Sequence, residues 1–157
     1  MRTVTRALVP GCMALFLILW ASPLNAKVLN MSGTWKVNME KSDFGKEAKP
    51  KDLMAKTVHK EPALKLSITG TDADGKPFDY EWDGAIDGKP YKGDDGGTSS
   101  LKWINDYTME GADISADGKT TKNWRDVYAK DGKSSIMSVT VKGPEGEYKQ
   151  RIVWEKQ

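Results

Sequence analysis

His59 is the only histidine of this 157-residue chain, and Cys12 is its only cysteine. A Ser-His-Asp relay would have to be built on His59, which sits in Lys56-Thr57-Val58-His59-Lys60 among ordinary strand residues. One histidine also falls short of the usual protein ligand set of a zinc site. Asp72-Ala73-Asp74-Gly75 echoes the opening of a calcium loop, but the remaining oxygen ligands and the closing Glu are missing at the required spacing. Asp79, Glu81 and Asp83 alternate with Phe78, Tyr80 and Trp82, which places these carboxylates on the wet face of a strand, where such groups solubilise. No glycine-rich loop follows a strand and opens a helix to cradle phosphate. The sequence therefore predicts no catalytic residue, no metal ligand and no cofactor. A hydrolase of envelope lipids or glycans, working through His59 and the exposed carboxylates, is the enzymatic alternative.

What remains is an aromatic stripe: Trp35, Phe78, Tyr80, Trp82, Trp103, Tyr107, Tyr148 and Trp154, mostly on expected inward faces. A small barrel either fills itself with such rings or leaves a pocket between them. A pocket would take a small apolar or amphipathic guest, held by aromatic area and oriented by a few polar groups. The residues expected to bind it are Trp35, Tyr80, Trp82, Trp103, Tyr107 and Tyr128, with Arg125 and Arg151 as polar partners. The phase of residues 124–128 is open, since Trp124, Asp126 and Tyr128 share one face and Arg125 and Val127 the other.

The elements that would position these side chains are strands. Beyond residue 26 no stretch of ten residues carries a helical period. Short alternating runs are instead punctuated by Asp74-Gly75, Asp87-Gly88, Asp117-Gly118 and Asp131-Gly132, and Asp-Gly is a strong hairpin signal because glycine accepts a positive φ. Eight or nine strands are predicted, near 33–39, 54–61, 63–71, 77–85, 97–104, 106–114, 120–129, 134–142 and 147–156. Connections this short join neighbours as antiparallel hairpins. An up-and-down meander with one dry face escapes exposed edges by closing into a β-barrel. The charged stretch 40–52, with Pro50, reads as a long loop with one helical turn near Ser42, and as the place for a lid if the barrel has one.

Residues 1–26 read as a cleavable signal peptide: Arg2 and Arg6, an apolar run from Ala7 to Ala21, then Leu24-Asn25-Ala26. The uncharged run to Leu24 is also about long enough for an uncleaved anchor. Cleavage would leave 27–157 as one domain, extracytoplasmic (periplasmic or secreted), with no cysteine and so no disulfide. The formal charge of +2 belongs to the precursor, because without Arg2 and Arg6 the chain holds 22 basic and 22 acidic residues. Neutrality gives no electrostatic case for nucleic acid or an anionic membrane surface. No stable membrane span is expected after cleavage.

Ser32-Gly33-Thr34-Trp35-Lys36-Val37 resembles the opening strand of the calycin superfamily, the lipocalins and fatty-acid-binding proteins, with its Gly-x-Trp. Leu29 to Lys36 with Glu40-Lys41-Ser42-Asp43-Phe44-Gly45 is similar to a group of exported bacterial lipocalin-like proteins, and Arg151-Ile152-Val153-Trp154-Glu155-Lys156 resembles the superfamily's last strand. The resemblance implies a lipocalin-like barrel, with Arg151 lying over Trp35 to join first strand to last. The loop after the first strand is too short for the helical pair of fatty-acid-binding proteins. Their Arg-x-Tyr is not reproduced either, since Ile152 stands at the Arg place when Trp154 takes that of Tyr. The expectation that emerges is a non-catalytic, exported barrel for a small lipophilic ligand. A protein-binding module using the loops or the open end is the alternative, with a partner the sequence does not identify.

Overall fold

The computed structural model describes residues 28–157, so the signal-peptide reading of 1–26 and its helix lie outside the described residues. Ten antiparallel strands follow one another: β1 (Gly33–Val37), β2 (Asp52–Lys60), β3 (Ala63–Thr71), β4 (Pro77–Ala85), β5 (Pro90–Lys92), β6 (Thr98–Asn105), β7 (Thr108–Ile114), β8 (Thr121–Tyr128), β9 (Ser134–Gly143) and β10 (Gly146–Lys156). They form one sheet in the order β4-β3-β2-β1-β10-β9-β8-β7-β6-β5. The first strand thus pairs with the last, with Val37 opposite Trp154 and Trp35 opposite Lys156. The sheet then curls until β4 meets β5 through a single bridge, Trp82 to Gly93. The result is an all-β, up-and-down barrel.

The turns are where Asp-Gly placed them: Gly75, Gly88, Gly118 and Gly132 all have positive φ. Alternation then sorts the faces. Leu64, Leu101, Val139 and Ile152 point inward and are buried, while Asp79, Glu81 and Asp83 face solvent. Each fully buried aliphatic side chain of this kind contributes roughly 1.5–3 kcal/mol.

Three expectations need correction. The strand count is ten rather than eight or nine, because β5 is only three residues long and carries one inward ring, too short for alternation to register. No helical turn forms near Ser42; the loop between β1 and β2 runs as turns and an isolated bridge between Asp43 and Arg151. Trp35 is covered by Lys156, whose Nζ lies 5.4 Å from the ring centroid, and not by Arg151. The reason is register: Ile152 and Trp154 face inward, so the odd-numbered Arg151 between them and Gln150 must face out.

The barrel has two unlike ends. At one, Leu29–Ser32 crosses the strand termini, with the Leu29 amide donating to Asp106 O at 3.1 Å. At the other, the loop of residues 38–51 shares the end with the turns β3–β4, β5–β6, β7–β8 and β9–β10 and reaches Thr71, Lys122 and Glu145.

Candidate functional site: a two-chambered interior

The interior holds two adjoining chambers that share a waist of Leu66, Ile68, Leu101, Trp124, Met137 and Trp154. The outer chamber, toward the 38–51 loop, has a volume of ≈ 460 Å³. Its apolar wall includes Trp82, Tyr80, Val139, Ile152 and, from the loop, Phe44. The inner chamber, toward the Leu29–Ser32 end, measures ≈ 130 Å³ and is walled by Met31, Trp35, Ala55, Leu64, Met109 and Tyr128 among others.

Trp124 owes its place at the waist to a glycine. In the β7–β8 pairing Gly111 stands opposite Trp124, and a Cβ on Gly111 would lie 2.2 Å from the indole Cζ2. Only the missing side chain lets the ring lie flat against the wall. The indole then donates from Nε1 to Asp113 Oδ2 at 3.1 Å.

Polar groups gather at the mouth of the outer chamber. Glu47 of the loop accepts from Tyr148 Oη at 2.8 Å and pairs with Lys122 Nζ at 2.9 Å. Burial pulls the Glu47 carboxyl up, but Lys122 and Tyr148 outweigh it and hold the group below its ordinary range. Tyr148 is pushed up to about 12, by burial and then by the Glu47 charge. Asp113 is raised by burial, which Ser99, Trp124 and Lys122 offset only in part. Tyr80, raised by burial and by the acidic neighbours Asp95, Asp113 and Asp94, stays a neutral phenol.

The loop is fastened to both faces of β10. Asp43 and Arg151 exchange backbone hydrogen bonds at 2.7 and 2.8 Å, and Gln150 Nε2 donates to Phe44 O at 3.0 Å. Gly45, at φ +62°, turns the chain so tightly that a Cβ would sit 2.4 Å from Lys149 O.

The inner chamber is apolar except for the Thr57, Ser135 and Tyr128 hydroxyls and one carboxyl, that of Asp126. Asp126 is 3% exposed and Ser135 2%, and neither Asp126 Oδ1 nor Ser135 Oγ has a hydrogen-bond partner among the described residues. Loss of water pushes the Asp126 carboxyl up to about 6, with the nearby Ser135 and Tyr128 side chains offsetting it only in part. Burial, then the adjacent Asp126, raises the Tyr128 phenol well above its ordinary value.

Six of the eight residues expected to bind ligand fall into three places. Tyr80 and Trp82 line the outer chamber, and Trp35 and Tyr128 line the inner one. Trp103 and Tyr107 pack against the core at the closed end, where Trp103 Nε1 donates to Glu61 Oε2 at 3.3 Å, and they line neither chamber. The two arginines are outside. Arg125 is exposed and pairs with Glu110 at 2.5 Å across β7–β8, and exposed Arg151 donates from Nη1 to Lys41 O at 2.7 Å, fastening the loop. The charged side chains that do border the chambers are Asp126, Asp113, Lys122 and Glu47, with Asp95. A signal for Asp126 was present: a face carrying both Trp124 and Tyr128 turns inward, and Asp126 lies between them.

His59 is engaged structurally. Its Nδ1 accepts from the Met31 amide at 3.3 Å, which assigns the ring proton to Nε2, 2.8 Å from Glu61 Oε2. Its side chain is 3% exposed and borders neither chamber. Among the described residues no three of His, Cys, Asp and Glu come together as a metal-binding group. No helix among them is long and apolar enough to cross a membrane, a statement that leaves strand-built spans aside.

No protein-family model matches this chain, and no curated protein matches it significantly. Among solved structures it is similar to a redesigned β-barrel, mFAP1, bound to DFHBI, with a TM-score of 0.41 and 14% identity over 81% of this chain and 94% of that one. It is also similar to EF1p2_mFAP2b bound to DFHBI, with a TM-score of 0.43 and 11% identity over 81% and 94% of the two chains. These likenesses concern barrel shape and assign no role to any residue here.

Proposed function

We propose that this chain is a non-catalytic, exported barrel that carries one small lipophilic or amphipathic molecule in its outer chamber. The observation that carries the reading is the ≈ 460 Å³ cavity, walled by Trp82, Trp124, Trp154, Leu101 and Ile152 and entered past the Phe44–Glu47 loop. That volume lies within the range of about 300–1,000 Å³ usual for small-molecule sites, and the mix of aromatic wall and few polar groups is theirs too. Export is supported by the order of Arg2 and Arg6, apolar run and Ala26.

Titration of the barrel with an environment-sensitive naphthalene dye tests the binding half, because three indoles line the chamber. A saturable one-to-one change in tryptophan emission is expected, abolished by Ile68→Trp, which fills the waist, with the far-UV spectrum unchanged. A linear, unsaturable response would overturn it. Fusion of residues 1–26 to alkaline phosphatase tests export, with activity and a processed N-terminus expected and a cytoplasmic, inactive fusion counting against it.

A further inference from the structure

The inner chamber contains a defect that a self-sufficient core would not keep. Asp126 sits on β8 with Met109 of β7 and Met137 of β9 as its register partners, and the far wall offers it Trp35, Ala55 and Leu64. No lysine or arginine contributes to its environment, which is set by burial and by the Ser135 and Tyr128 side chains alone. The remaining polar groups near it are hydroxyls. Thr57, which also lines the chamber, spends its Oγ1 proton on Met31 O. His59, the chain's one imidazole, is occupied by Met31 and Glu61.

Buried polar atoms in native proteins are nearly always hydrogen-bonded, and a buried carboxylate is paired or bound to something that supplies the charge. Here two such atoms, Asp126 Oδ1 and Ser135 Oγ, lack partners among the described residues, and both residues belong to the wall of a chamber that shares its waist with the larger one. A guest lying along the barrel axis with its apolar body in the outer chamber would bring one end to these atoms. The complement of an unpaired carboxylate in an apolar cup is a donor that carries positive charge. We infer that the barrel takes its ligand head-first, and that the ligand is a lipophilic amine whose ammonium donates to Asp126 Oδ1 and to Ser135 Oγ beside it.

Charge of that sign also fits the rest of the wall. The residues lining the two chambers include four acids, Glu47, Asp95, Asp113 and Asp126, and one lysine, Lys122, which is already paired with Glu47. An anionic head, such as a carboxylate, would meet Asp126 with no cation to separate them.

This inference rests on the barrel's being a ligand carrier, and the experiment separates the two. Four probes with the same naphthyl-alkyl body and different ends (primary amine, alcohol, methyl and carboxylate) are titrated at pH 8 into the wild type, Asp126→Asn and Ser135→Ala, with tryptophan emission as the readout. The expected order in the wild type is amine, then alcohol, then methyl, then carboxylate, with the amine about tenfold or more tighter than the methyl probe. Asp126→Asn should erase the amine's advantage while leaving methyl binding within about twofold, and Ser135→Ala should reduce it only partly. Lowering the pH through 6 should shrink the advantage in the wild type, since the amine stays charged while the carboxyl of Asp126 takes up its proton. Saturable binding of all four probes without head-group order, or an order that Asp126→Asn leaves intact, overturns the head-first amine and leaves the carrier standing. Failure of every probe to bind overturns both.

Discussion

The barrel's two ends are each closed by a chain segment, yet they are fastened in opposite ways. At the inner end the Met31 backbone is locked from three sides: its carbonyl accepts from Trp35 Nε1 at 2.9 Å and from Thr57 Oγ1, and its amide donates to His59 Nδ1. Met31 and Trp35 are both buried, and Trp35 meets Tyr128 edge to face with centroids 5.8 Å apart. At the mouth the 38–51 loop buries one ring, Phe44, whose carbonyl accepts from the buried Gln150. Its other ties, to the Arg151 backbone and side chain, to Val153 N, to Tyr148 and in the Glu47–Lys122 pair, are part-buried or exposed, and both side chains of that pair are more than a third exposed. Buried, fully partnered hydrogen bonds belong to the globally cooperative structure, whereas exposed pairs on a loop open locally at small cost. On these contacts the inner end is held as a wall, and the mouth is the end expected to serve as a door.

The largest effect is expected at the wall. Trp35→Ala removes a buried ring, the Met31 bond and the seat of Lys156, and should cost about 3–5 kcal/mol in urea unfolding. A loss below about 1 kcal/mol would mean that the inner end is no more built-in than the mouth.

The next effect is Asp126's. Its folded-state value of about 6 stands above the ordinary 3.8, so between those values the folded chain holds a proton that the unfolded chain has released. Stability should therefore be greatest below about pH 4 with respect to this group and fall as pH rises through 6, by roughly 3 kcal/mol in total. Asp126→Asn should flatten that slope in pH-dependent denaturation, and an unchanged slope would show that the chamber solvates the carboxyl after all.

Gly111→Val tests the waist. Its side chain would strike the Trp124 ring, at an expected cost of about 1–3 kcal/mol, with a shifted tryptophan emission maximum. At the door, Glu47→Gln should change global stability by less than about 1 kcal/mol, because the pair with Lys122 is half in solvent. It should nevertheless speed amide exchange in residues 43–47 while leaving Met31 protected. Equal acceleration at both ends would erase the distinction.

Most of the barrel was legible. Phe78-Asp79-Tyr80-Glu81-Trp82 announces its two faces by alternation alone, and Asp117-Gly118 announces a hairpin by the φ it needs, because both signals are local. β5 was not legible, since three residues carry no period and its place is set by the distant β4 edge it meets. The site was legible as an aromatic interior and not as a chemistry. Trp82 and Tyr80 declare themselves by type, but Asp126 counts as a wet residue until the phase of its strand is known, and Glu47 reaches the mouth only because Arg151 and Gln150 tie down its loop. The outward placement of Arg125 and Arg151 was hidden for the converse reason: an arginine's charge reads the same from either side of a wall until strand phase is known.

The seam between β4 and β5 bears on how such an interior accepts a guest. Every other neighbouring pair is laced along its length, and this one is held by the Trp82–Gly93 bridge with the Asp94 amide on Glu81 O and the Glu81 amide on Asp94 Oδ2. A hoop with one weak link gives at that link when pushed from within. Swelling of the outer chamber would therefore be taken up at Trp82, which is both a stave of the hoop and a wall of the cavity, and the fit of a ligand would be felt as the tightness of the seam.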